Sequence, residues 1–138
     1  RLEAGTLNTP GIVGLKAGIK WIKENDFDGI RNHQLRLTRL LADHLKQTPG
    51  ITIYGPEDME NRLPVISVTA KNVNPGEMAR RLDKEYGIMT RAGLHCSPLA
   101  HKAMGTFPEG TLRLSSGIFN TEQEIALVAE AFTNLLIY

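Results

Sequence analysis

Residues 63–90, LPVISVTAKNVNPGEMARRLDKEYGIMT, decide the fold class. Val65, Ile66 and Val68 make Leu63 to Ala70 a β-branched run, which fits a half-buried pleated surface. Asn74-Pro75-Gly76-Glu77 then opens a helix: Asn can accept backbone N–H groups at the cap, Pro is tolerated in the first turn, and Glu follows three residues on. That helix carries Met78 and Leu82 inward and ends near Gly87. Ile88-Met89-Thr90 reads as a further strand.

The same alternation extends in both directions. Thr9-Pro10 starts a helix that places Leu15, Ile19 and Ile22 at helical spacing to about Lys23. From about Phe27 to Gln47, Ile30, Leu37, Leu40, Leu41 and Leu45 fall on one stripe of a long amphipathic helix, which Pro49-Gly50 stops. Ile51-Thr52-Ile53-Tyr54 is a short strand closed by Gly55-Pro56, and Glu57 to Arg62 is a polar loop. Arg91 to Gly110 is rich in Gly, Pro and His and reads as mostly loop, with a helical turn around Leu99 to Met104. Thr111-Leu112-Arg113-Leu114-Ser115 is another strand. Thr121-Glu122-Gln123-Glu124 is a capping box that opens a last helix bearing Ile125, Val128, Ala129, Phe132, Leu135 and Leu136. Short connections between these elements predict an α+β fold, a small and mostly antiparallel sheet of about three or four strands covered by helices. No repeat or interior linker divides residues 1–138, so a single domain is expected.

At 138 residues the chain is long enough for one core. An apolar share of 41% and a charged share of 22% are those of a globular protein. The net charge of +1 is spread along the chain, which argues against nucleic acid or a membrane surface as partner. No apolar run approaches the roughly 18 residues of a membrane helix. The single cysteine rules out an internal disulfide and suits a reducing, cytoplasmic setting. The chain begins at Arg1 without an initiator Met, so preceding sequence is expected and targeting signals are unread.

Chemistry concentrates in Arg91-Ala92-Gly93-Leu94-His95-Cys96-Ser97-Pro98-Leu99-Ala100-His101. A thiol next to an imidazole can become a reactive thiolate, although a lone Cys is commonly a buried structural residue. Arg113 can offer its planar fork to a carboxylate, or simply face solvent from the polar side of its strand. Thr6 and Asn8 lie in a hydroxyl- and amide-rich stretch before a helix, which suits either phosphate binding or plain helix capping. His33 and His44 stand about three helical turns apart, too far along the axis to share an ion. No metal site is expected.

Three segments, in order, resemble the pyridoxal-phosphate-dependent cysteine desulfurases of the class V aminotransferase fold. Arg1-Leu2-Glu3-Ala4-Gly5-Thr6-Leu7-Asn8 resembles R-[FL]-E-x-G-T-x-N. Arg91-Ala92-Gly93-Leu94-His95-Cys96 resembles the cysteine loop R-x-G-x-H-C. Arg113 with Ser115, Phe119-Asn120-Thr121 and Glu124 resembles R-x-S-x-x-x-[FY]-N-T-x-x-E. The resemblance implies the carboxy-terminal small domain of an aspartate-aminotransferase-like enzyme that turns L-cysteine into L-alanine and leaves a persulfide on Cys96.

It also implies that Arg113 grips the substrate carboxylate and that His95 assists Cys96. Thr6, with Asn8, would reach the cofactor phosphate across a homodimer, and a sulfur-acceptor protein, as in iron–sulfur cluster assembly, would take the sulfur on. Arg91 would brace the loop. The lysine that holds the cofactor belongs before Arg1, so this chain alone is expected to be inactive. Leu94 stands where many members have a second His. A selenocysteine lyase or another class V enzyme is the alternative reading, and a non-catalytic dimerisation domain the alternative of a different class. The desulfurase reading requires Cys96 and Arg113 to face one small-molecule cavity.

Overall fold

The computed structural model describes residues 4–136. They contain α1 (Thr9–Glu24), α2 (Phe27–Gln47), β1 (Ile51–Tyr54), β2 (Val65–Ala70), α3 (Pro75–Tyr86), β3 (Arg91–Gly93), α4 (Pro98–Ala103), β4 (Thr111–Ser115) and α5 (Glu122–Leu136). Two compact units divide the chain, Arg1–Asn32 and His33–Tyr138. The first holds α1, whose N-cap is Asn8: its side-chain oxygen accepts from the Gly11 N–H at 3.1 Å. Among the described residues, no helix is long and apolar enough to cross a membrane.

The second unit is built on a four-stranded sheet in the order β1-β2-β4-β3, with every neighbouring pair antiparallel. This is the expected α+β arrangement. Side chains alternate across a strand, so Ile66, Val68 and Ala70 of β2 and Leu112 and Leu114 of β4 bury one face. Leu37, Leu41 and Leu45 of α2, Met78 and Leu82 of α3, and Ile125, Phe132 and Leu135 of α5 close the core over that face. The opposite face carries Ser67, Thr69, Thr111 and Arg113, and Tyr54 joins it through a 3.2 Å hydrogen bond between its hydroxyl and that of Thr69.

Helix ends follow the sequence closely. Asn74 caps α3 by accepting from Gly76 N–H, and Gly87 ends it at φ 67°. At the start of α5, Thr121 N–H donates to Glu124 and Glu124 N–H donates to Thr121 Oγ1, the reciprocal bonds of a capping box. His33 Nε2 donates to the Asn120 carbonyl at 3.0 Å, and His44 Nε2 lies 3.2 Å from Thr133 Oγ1, so both imidazoles tie α2 to the α5 region.

Three features differ from expectation. The third strand is Arg91–Gly93 rather than Ile88–Thr90, because Ile88 N–H bonds back to Leu82 O in closing α3. The second begins at Val65, two residues later than its apolar run. Arg62, expected in a polar loop, is buried: its guanidinium donates to the carbonyls of Tyr54, Pro56 and Val65 and thereby closes the β1–β2 connection.

Gly110 shows how tightly the loop after β3 is tied to the sheet. It sits at φ 78°, and a Cβ there would overlap the backbone carbonyl of Gly93. Gly110→Ala should therefore lower the unfolding free energy by about 3 kcal/mol, through left-handed strain and a steric clash that only backbone movement relieves. Urea denaturation of the two chains checks this, and an unchanged midpoint would contradict it.

Candidate active site

Arg91, Arg113, His95 and Cys96 gather around the paired strands β3 and β4. Arg113 lies opposite Arg91 on one side and Ser67 on the other, and directly opposed residues share a sheet face. Arg113 is half-buried, and among the described residues its guanidinium makes no hydrogen bond or ion pair. Arg91 is exposed and likewise makes none, so it does not brace the loop as expected. Two guanidiniums facing each other with no carboxylate between them make a surface that favours an anion.

From Gly93, opposite Thr111, the chain turns sharply off the sheet. Gly93 is at φ 109°, and His95 and Cys96 follow at φ 49° and 62°, two successive non-glycine residues in the left-handed region. Such a conformation costs about 1–2 kcal/mol per residue and persists only where surrounding contacts impose it. Here they do. His95 Nε2–H donates to the Thr111 carbonyl at 3.2 Å, pinning the turn to β4 two residues from Arg113. The turn leaves the Cys96 thiol exposed, so Cys96 is not a buried structural cysteine.

Because a carbonyl can only accept, the hydrogen bond to Thr111 fixes the proton of neutral His95 on Nε2 and leaves a lone pair on Nδ1. That Nδ1 is buried and has no partner, as is the hydroxyl of Thr111. Burial, then the positive charge of Arg113, holds the His95 pKa below the usual imidazole value; Arg91 and His101 act in the same direction, and the bond to Thr111 opposes them. The ring is therefore neutral at physiological pH.

The sign of the linked stability change follows. Below the unfolded value of 6.5 the unfolded chain takes up a proton that folded His95 resists. Stability is complete above that pH, falls as pH drops towards the depressed folded value, and levels off beneath it. His95→Gln should flatten this part of the stability–pH curve, as denaturation at about pH 7.5 and about pH 5.5 would reveal.

Thr6 and Asn8 belong to the first unit. Thr6 is exposed and without a partner among the described residues, whereas the oxygen of Asn8 is engaged in capping α1. Arg1, Leu2 and Glu3, which begin that motif, lie outside the described residues. A cleft of about 360 Å³ opens elsewhere, lined by residues that include Thr90, Ser115, Asn120 and Glu124 but not by Cys96 or Arg113. His101 and Thr106, which sequence reasoning left without a role, are both buried, and the His101 ring lies beside that of His95.

An exposed thiol, a neutral imidazole and a guanidinium unpaired among the described residues thus stand near the β3–β4 pair of one small antiparallel sheet. The chain belongs to the aminotransferase class V family, matching it over residues 1–128. It is 33% identical over 136 residues to a probable cysteine desulfurase of Methanothermobacter thermautotrophicus, and 34% identical over 135 residues to a cysteine desulfurase of Salmonella agona. Each match takes in 98% of this chain but only 34% and 32% of those proteins. Among solved structures, the apo cysteine desulfurase of Thermococcus onnurineus matches with a TM-score of 0.92 at 29% identity, over 99% of this chain and 33% of that one. The cysteine desulfurase CsdA of Escherichia coli matches with a TM-score of 0.85 at 30% identity, over 98% and 33%.

Enzymes of this family depend in general on pyridoxal phosphate. Among the described residues the Thr6 hydroxyl, in the first unit, is an unengaged donor of the kind a phosphate takes, and the Arg113 fork, in the second, is one of the kind a carboxylate takes.

Proposed function

We propose that this chain supplies the sulfur-accepting part of a pyridoxal-phosphate-dependent cysteine desulfurase, as the small carboxy-terminal domain of a longer enzyme. The observation that carries this reading is the juxtaposition on β4 of Arg113, without a partner among the described residues, and the anchor of the His95–Cys96 turn. Relatives about three times as long, named as cysteine desulfurases or probable cysteine desulfurases, support it.

Arg113 binds the carboxylate of L-cysteine through paired N–H donors, which orients the substrate sulfur towards Cys96. His95, next to Cys96 in the chain and with a lone pair on Nδ1, is the base that takes the proton from the Cys96 thiol; Nδ1 is buried without a partner as the ring stands, so the transfer requires the thiol to turn towards it. Bound pyridoxal phosphate supplies an electron sink that makes the substrate's carbon–sulfur bond labile. Cys96, as thiolate, attacks the substrate sulfur and keeps it as a persulfide, while the carbon skeleton leaves as alanine. Thr6 and Asn8 reach the cofactor phosphate across a homodimer. A sulfur-acceptor protein then collects the outer sulfur, for which the exposure of Cys96 is suited. A reducing cytoplasm keeps such a thiol free.

Mass spectrometry of the full-length enzyme after brief exposure to L-cysteine tests the assignment. The peptide containing Cys96 should gain one sulfur atom that a thiol reductant removes. A gain at no site, with alanine nonetheless released, would overturn the assignment of Cys96.

A further inference from the structure

His101 is a buried titratable group that the sulfur-transfer scheme does not use. It lies on α4, a helix whose Leu99, Lys102 and neighbouring Met104 are all exposed, yet His101 itself retains 7% of its surface. Its Nδ1 lies 2.7 Å from Thr106 Oγ1, and Thr106 is itself buried. Thr106 also returns its backbone N–H to the His101 carbonyl at 2.9 Å, across a turn where Gly105 takes φ 71°. Residue 106 therefore grips residue 101 by both ring and backbone. On the other flank, the His101 and His95 rings stand 6.0 Å apart between centroids, tilted by 46°.

A plain core position would be served by Leu or Phe, which need no partner. A buried imidazole needs a hydrogen-bond partner, and the bond to Thr106 fixes the ring's rotation. His95 is otherwise held on one edge only, by Thr111, while its backbone is in a conformation that needs external support.

We propose that His101 is a positioning residue: braced by Thr106, it fixes the His95 ring, and through it the Cys96 thiol, in the orientation that sulfur transfer uses. This rests on the desulfurase reading for its purpose but not for its geometry. The charged or titratable groups near His95 are the adjacent Cys96 thiol, Arg91 from β3, Arg113 from β4 and His101 from α4, and among the described residues His101 is the one held by a side-chain hydrogen bond, to Thr106. Removing its bulk would admit water beside His95, and the lower cost of desolvation makes protonation of His95 easier.

The test uses three variants, His101→Ala, Thr106→Val and Thr106→Ser, with NMR titration of the His95 ring in this chain and the pH profile of cysteine turnover in the full-length enzyme. His101→Ala should move the His95 midpoint upward and carry the acid limb of turnover with it, with about a tenfold loss at neutral pH. Thr106→Val should shift both in the same direction by less, and Thr106→Ser, which keeps the hydroxyl, should restore them. The titration needs no turnover, so it judges the brace even if the enzyme acts on something other than cysteine. Folded Thr106→Val and His101→Ala chains with an unmoved His95 midpoint would overturn the proposal, as would Thr106→Ser behaving like Thr106→Val.

Discussion

Cys96→Ala in the full-length enzyme should lower cysteine turnover at least about 10³-fold, because no other residue of this chain can hold the sulfur. The loss should be chemical rather than structural. Cys96 is exposed, and Ala meets the same left-handed backbone that Cys already tolerates, so stability should change by no more than about 0.5 kcal/mol. Steady-state alanine release and a denaturation curve on the same preparation separate the two effects. A variant that keeps activity on selenocysteine while losing it on cysteine would mark a selenocysteine lyase, whose leaving group departs without help from a thiol. Full activity on both would leave Cys96 an incidental thiol and remove the basis of the proposed function.

Helices α3 and α5 were legible because they announce their own ends. Asn74-Pro75 and Thr121 with Glu124 satisfy orphan N–H groups locally, and Gly87 supplies the left-handed residue that stops α3. The misplaced third strand has the opposite origin. Ile88-Met89-Thr90 has the better strand composition, yet pairing with β4 falls on Arg91-Ala92-Gly93, because Gly93 must meet Thr111 where Gly110 passes close behind it. A contact between two glycines distant in sequence overrides local propensity, and no pattern in either segment alone reveals it.

The site divides in the same way. Cys96, His95 and Arg113 were visible as residue types that chemistry requires, set in a polar loop and on a strand. The support beneath them was not. Arg62 binds three carbonyls and His101 is locked by Thr106, but both depend on loop conformations, and long polar side chains ordinarily face solvent. The recurrence of His and Thr around Gly105, within a loop already rich in left-handed positions, was the one available hint.

Arg113 allows a decision between a binding and a structural role from one pair of measurements. Flanked by the core residues Leu112 and Leu114, it projects from the polar face opposite Arg91, where two like charges repel in the absence of a ligand. Arg113→Ala should therefore leave the fold as stable as before or slightly more so, since it breaks no hydrogen bond or ion pair among the described residues. In the full-length enzyme the same change should cut kcat/KM for cysteine by roughly 10²–10³-fold, because the substrate carboxylate would lose a charge-assisted, two-pronged partner in a desolvated site. Arg113→Lys keeps the charge but not the fork, and should recover only part of that loss. The deficit should be smaller for a substrate analogue lacking the carboxylate, which the wild-type enzyme would already bind poorly. Equal losses on both substrates, or a marked fall in stability, would assign Arg113 to holding the sheet instead.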